Sequence, residues 1–203
     1  MKERPILMSA PMALASLDGS KTQTRRIVEL KPHHQITERE DGSLWPWMYD
    51  SERDADHWLP CRYGQPGDTL WVREAWRAPL SYELTKPSDI PPGTPLNYEA
   101  DGGGNLPRFN AGKLRPSMFM PRWASRITLE ITGVRVERLQ DISDADCIAE
   151  GIGLNPSAEG VTLTFPPGAS ACKAGYQALW EHLNGPESWE ANPWVWVISF
   201  RKV

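Results

Sequence analysis

Cysteine is scarce in this chain of 203 residues: Cys61, Cys147 and Cys172 are widely spaced and odd in number. That excludes a disulfide framework and fits a reducing compartment. Long apolar runs are missing as well, none approaching the ~20 residues that span a bilayer. The opening Met1-Lys2-Glu3-Arg4-Pro5 is charged and breaks early, unlike a secretory leader. A cytoplasmic protein without a membrane partner is expected. Excess charge is small, at −4, so bulk electrostatics do not mark a nucleic-acid binder, and any such binding must be local. His57 and Cys61 lack a second pair at zinc-like spacing, so neither a structural metal nor a cofactor is expected.

What the chain does have is tryptophan, ten in all. Large indoles mostly fill cores, and a minority can stack on bases. Apolar residues make up 40% and charged residues 24%, the composition of a globular domain. No internal repeat marks a second domain.

The pattern along the chain predicts a turn and short helix over Pro5–Leu17, stopped by Asp18-Gly19. A strand follows over Thr22–Val28, with Thr22, Thr24 and Arg26 on one face and Gln23, Arg25 and Ile27 on the other. Asp41-Gly42 signals a hairpin, and Tyr63–Asp68 a turn into a strand at Thr69–Glu74. Proline and glycine dominate from Ala78 to Pro116, which reads as a lid or binding loop over one mouth of the fold. Ile127–Leu139 is the longest strand-like run, with a bend expected near Gly133. Ser143–Glu150 reads as a capped helix ended by Gly151, with Ile142 placed to staple onto Cys147. After a second Gly/Pro-rich stretch holding the strand-like Val161–Phe165, Lys173–Leu183 is an amphipathic helix and Trp194–Val203 a closing strand.

Three features carry chemistry. Lys21–Arg26 packs an amine, two hydroxyls and two guanidiniums into six residues; a solvated edge strand would carry the same charges. Glu150 sits in the last helical turn, facing the negative end of the helix dipole. That field raises a carboxyl pKa and suits it to acid/base work, although a surface Glu in a short helix is common. Trp71-Val72-Arg73 and Arg122-Trp123 interleave arginine planes with indole faces, as a base or phosphate site does. A Trp-rich wall with snorkelling arginines reads the same way.

In order, these pieces resemble the ASCH domain family of the PUA-like superfamily. The resemblance rests on Asp18-Gly19-Ser20-Lys21-Thr22-Gln23-Thr24-Arg25-Arg26 after a helix, and on Gly67-Asp68-Thr69-Leu70 entering a strand. It continues through a long strand and the helix Ile142–Gly151 ending Ala149-Glu150-Gly151, and closes on an aromatic strand. The Arg115-Pro116-Ser117 and Met120–Arg126 stretches also look like uncharacterised phage and prophage proteins. The resemblance implies an α+β fold: one small PUA-like β-barrel flanked by short helices, with insertions at about 30–62, 77–115 and 153–171. It implies a nucleoside, nucleotide or RNA partner. One branch of the family, the N4-acetylcytidine amidohydrolases, uses a lysine, a threonine and a glutamate, which by motif fall on Lys21, Thr24 and Glu150. Arg26 is then the supporting cation, and Thr22, Trp71, Arg73, Arg122 and Trp123 are the further substrate-binding candidates. Other readings of the same pocket are a ribonuclease acting on single-stranded RNA and a non-catalytic reader of RNA or modified bases. Gln23 and Arg25 are expected to face away from the site.

Overall fold

The computed structural model describes residues 1–52, 54–102, 110–152 and 170–203. In chain order the elements are β1 (Glu3–Leu7), α1 (Ala10–Asp18), β2 (Gln23–Ile27), β3 (Gln35–Glu38), β4 (Leu44–Asp50) and β5 (Ala55–Trp58). They continue with β6 (Thr69–Arg73), β7 (Trp76–Arg77), β8 (Asn97–Tyr98), β9 (Thr128–Arg138), α2 (Asp144–Ala149), α3 (Ala171–Asn184) and β10 (Trp194–Lys202). This is a mixed α+β architecture with a sheet-rich core and few helices. No helix among the described residues is long and apolar enough to cross a membrane. The strand expected over Val161–Phe165 lies outside the described residues.

The described residues gather into two compact units. The first holds Met1–Gly19, Pro66–Ile131 and Arg201–Val203. Here β1 runs parallel to β6, from Glu3 opposite Thr69 to Leu7 opposite Arg73. β6 pairs antiparallel with the start of β9, Leu70 facing Leu129. Sequence reasoning expected a turn, not a strand, at Pro5. The proline is tolerated because β1 has a neighbour on one side only, so its missing N–H breaks no ladder. α1 ends on Gly19 at φ 84°, a left-handed position that suits glycine.

Among the described residues of the proline-rich stretch after β7, the chain is not without structure. Short 3-10 turns and the β7–β8 bridge fold it around its own cluster, in which Trp76, Ile90, Leu96 and Met120 are buried and Trp123 packs alongside. Apolar residues spaced between the prolines supply that core, which is why the described residues pack together without long elements.

The second unit holds Ser20–Gln65 and Thr132–Phe200. β10 pairs antiparallel with β2, Trp196 opposite Arg26 and Ile198 opposite Thr24. Behind them α2 and α3 close over Leu139, Ile142, Cys147, Tyr176, Trp180, Trp189, Val195 and Val197. α2 is only six residues long, too short to persist alone. A reciprocal capping box fixes its start: the Ser143 hydroxyl accepts from the Asp146 N–H, and the Asp146 carboxylate accepts from the Ser143 N–H. Region 30–62, expected as an insertion with one hairpin, is a three-stranded antiparallel sheet in the order β3-β4-β5.

Candidate functional site

The chain leaves the Gly19 turn and enters β2 through Lys21 and Thr22. The Thr22 N–H donates to the Ala149 carbonyl at 2.8 Å, and the Phe200 N–H donates to the Thr22 carbonyl at 2.9 Å. These bonds lay the start of β2 across the last turn of α2. There Lys21 Nζ donates to both the Glu150 main-chain carbonyl, at 2.7 Å, and Glu150 Oε2, at 2.6 Å. Lys21 is 3% exposed and Glu150 4%.

One ammonium therefore answers two problems. The carbonyls at a helix C-terminus lack partners and carry partial negative charge, and the Glu150 side chain adds a full one. Lys21 neutralises both. Burial lowers the Lys21 pKa, and the Glu150 charge and hydrogen bond oppose that, while Arg26 and Arg25 lower it further. The net direction is down, towards an amine that gives up its proton more readily than a surface lysine.

The other carboxylate oxygen of Glu150 is held loosely. Arg25 Nη1 lies 3.4 Å from Oε1, and the Tyr176 hydroxyl donates to it from 3.5 Å. Arg25, whose side chain is fully buried, is gripped elsewhere. Gln23 Oε1 accepts from Nη1 at 2.7 Å, Glu137 takes Nε and Nη2, and Asp146 Oδ2 stands 3.2 Å from Nη2. Arg135 bridges the same two carboxylates from outside, at 2.9 Å to Glu137 and 3.1 Å to Asp146. Burial alone would raise the Asp146 pKa, but hydrogen bonds from Ser143 and Gln23 and the charges of Arg25 and Arg135 hold it at about 2. The Tyr176 phenol is pushed well above its usual value, first by burial and then by the Glu150 charge; it stays a hydrogen-bond donor.

Of the residues expected at the site, the structure brings Lys21 and Glu150 into contact. Arg25 and Gln23, expected to face elsewhere, are the residues that join them. The pleat explains this: Lys21, Gln23 and Arg25 alternate with Thr22, Thr24 and Arg26, so they share one side. Thr24 lies on the other side, buried, its hydroxyl accepting from Arg26 Nη1 at 2.8 Å. Thr22 is exposed and anchors the strand through its main chain. Glu137, Asp146 and Tyr176 were not singled out by sequence reasoning. The one available signal was Arg135 and Glu137 placed two apart in a strand, where such charges share a face.

Trp71, Arg73, Arg122 and Trp123 belong to the first unit. Trp71 is 7% exposed and carries Arg73 at 4.5 Å and Arg122 at 5.8 Å from its ring centroid. Arg122 is paired with Glu3 at 2.7 Å, and Trp123 packs on the Trp76 cluster. Arg122, through its pair with Glu3, and Trp123, on the Trp76 cluster, thus act in packing the first unit. Among the described residues, no group of three or more His, Cys, Asp or Glu side chains is arranged to hold a metal ion.

No protein-family model, curated protein or solved structure matches this chain.

Proposed function

We propose that the chain carries an ASCH-type, PUA-like fold, and that Lys21 and Glu150 form a proton-transfer pair for hydrolysing the exocyclic amide of an N4-acylated, cytidine-like base. The observation that carries this reading is the buried 2.6 Å contact between Lys21 Nζ and Glu150 Oε2. Moving one proton from Lys21 to Glu150 turns the ion pair into a neutral amine beside a carboxylic acid. Burial makes Lys21 give up its proton more readily than a surface lysine, and Glu150 Oε2, in contact with Nζ, is the group placed to exchange that proton. A base and an acid in contact are what amide hydrolysis needs. Lys21 takes a proton from water, whose oxygen adds to the acyl carbon. Glu150 protonates the exocyclic nitrogen as the carbon–nitrogen bond breaks; the free amine leaves with acetic acid, which loses its proton to solvent as acetate, and the proton on Lys21 passes to Glu150 to restore the starting pair. Arg26 stands on the other side of β2 with its guanidinium on the Thr24 hydroxyl, and it acts on the pair through its charge, which helps to lower the Lys21 pKa.

The ribonuclease reading fits less well. Arg25, the most buried guanidinium of the cluster, is already met by Glu137, Asp146 and Glu150. A scissile phosphate placed there would face three carboxylates.

The test is direct. Purified protein incubated with N4-acetylcytidine is expected to release cytidine and acetate, measured by liquid chromatography. Lys21→Ala and Glu150→Ala are each expected to lower turnover by roughly 10²–10⁴-fold, the usual worth of a positioned acid or base. Wild-type turnover retained in either folded variant removes the pair from the chemistry, and stable binding of the nucleoside without product makes the chain a reader instead.

A further inference from the structure

The β3-β4-β5 sheet presents one aromatic face that the proposed hydrolysis does not use. By register and alternation, Trp45, Trp47 and Tyr49 of β4 share a side with Arg39, and with Trp58 of β5, which pairs with Trp47. The base of this face is covered, Trp45 packing edge-on against Trp196 with ring centroids 4.9 Å apart. Its outer part is open: Tyr49 is 49% exposed and Trp58 37%. These two rings and Trp47 lie next to one another on the face, so their exposed parts form one patch rather than scattered residues.

Two further observations define what fits there. First, the face already holds a guanidinium: Arg39 lies 3.9 Å from the centroid of Trp45 and 5.2 Å from that of Trp58. This is the stacking an incoming arginine would repeat. Second, the turns at both ends of the strip are acidic, with Glu40 and Asp41 at one and Asp50, Glu52 and Asp54 at the other, and Asp56 on the face itself. Against these acids the same stretch sets only Arg39 and Arg53, and Arg39 is spent on the rings. Phosphates would meet this rim at a cost, so the aromatics are not a platform for single-stranded nucleic acid.

We propose that this face is a docking surface for an extended, arginine-rich segment of a partner protein. Guanidiniums would stack on Trp47, Tyr49 and Trp58, and further basic side chains would reach the acidic turns. Strand β4, at about 3.3 Å per residue, matches an extended segment of similar length.

The experiment titrates the full-length chain with nona-arginine, nona-lysine and an oligouridylate, following tryptophan fluorescence and calorimetry at fixed salt. Nona-arginine is expected to bind more tightly than nona-lysine. Trp58→Ala is expected to weaken nona-arginine binding roughly tenfold, and Tyr49→Ser does so in parallel should Trp58→Ala fail to fold. Leu84→Ser, on a residue 94% exposed outside this sheet, is expected to change nothing. Equal binding of the two peptides, indifferent to Trp58 and Tyr49, reduces the effect to general attraction and overturns the proposal. Oligouridylate binding that is lost in the same two variants overturns it in favour of a nucleic-acid surface.

Discussion

Lys21 and Glu150 stand 129 residues apart in the chain, yet Lys21 Nζ caps both the side chain and the main-chain carbonyl of Glu150. The contact ties the first residues of one strand to the end of a short helix and neutralises a charge that the helix dipole disfavours. It is therefore a structural bond as well as the proposed chemical one, and the two roles separate experimentally. Removing only the lysine, as in Lys21→Met, leaves a buried carboxylate without its ammonium and is expected to cost about 3–5 kcal/mol. Removing both charges, in Lys21→Met with Glu150→Leu, is expected to recover most of that loss, because two apolar side chains can replace a buried pair. Urea unfolding of the three proteins checks this, the double variant lying nearer wild type than Lys21→Met. The same double variant is expected to have no amidohydrolase activity.

Acid stability follows from Asp146. Its folded pKa of about 2 lies below the ordinary aspartate value of 3.8, so the native state binds its proton more weakly than the unfolded chain does. The resulting stability is fully present above the unfolded pKa and is lost as pH falls from about 4 through about 2. Asp146 is partly open to solvent, which screens the effect, leaving about 1 kcal/mol. Chemical denaturation at pH 5 and pH 2.5 is expected to show this loss in wild type and a smaller one in Asp146→Asn. An equal pH slope in both proteins would place the acid sensitivity elsewhere.

Much of the framework is legible in the residues. The glycine stop after α1, the β-branched start of β2, the Ser143 cap and the apolar spacing of α3 are local signals, and each element stands within a few residues of where they put it. What escapes is non-local. Arg25 reads as an outward charge because nothing near it in the chain announces Glu137, 112 residues away, or Glu150, 125 residues away. The parity of β2 does place Lys21 with Gln23 and Arg25; setting it beside Thr24 follows motif order rather than the pleat. The β3-β4-β5 sheet shows only its first turn in the sequence, since strands that are half exposed on both faces lack clean apolar alternation.

Proton uptake by the proposed base is tunable through its neighbours. Burial dominates the lowered Lys21 pKa, and the positive charge of Arg26 contributes to it. Arg26→Ala removes that charge, so the Lys21 pKa rises. An activity needing neutral Lys21 then requires a higher pH, and the acid limb of the kcat/KM profile is expected to move upward. A limb that stays in place would show that the Arg26 charge does not reach the proposed base.

In the first unit, Glu74 is 1% exposed and owes its burial to Arg126, which donates Nε and Nη2 to its two oxygens at 2.9 and 3.0 Å. Arg126 also reaches Asp101 and lies 3.9 Å from the centroid of the Tyr98 ring. Arg126→Ala strands the buried carboxylate, with an expected loss of about 3–5 kcal/mol. Arg126→Lys is expected to restore little, since an ammonium cannot make the two parallel bonds or the flat stack. Thermal melts of both variants test this; a lysine variant as stable as wild type would show that charge alone holds Glu74.

The cysteines offer a check on the packing of α2 against α3. Burial pushes the Cys147 thiol up to about 11, and Cys172 and nearby carboxylates add to the rise. Cys61 is buried too, at 5% exposure, whereas Cys172 is half-buried. Thiolate is the reactive form, so at pH 8 a thiol held at about 11 offers far less of it than an open one. Native protein treated briefly with a thiol reagent and read by peptide mass spectrometry is expected to carry label on Cys172 first. Cys147 and Cys61 are expected to follow only after unfolding. Early labelling of Cys147 would mean that α2 lifts from α3 in the native state, and with it the carboxylate that Lys21 holds.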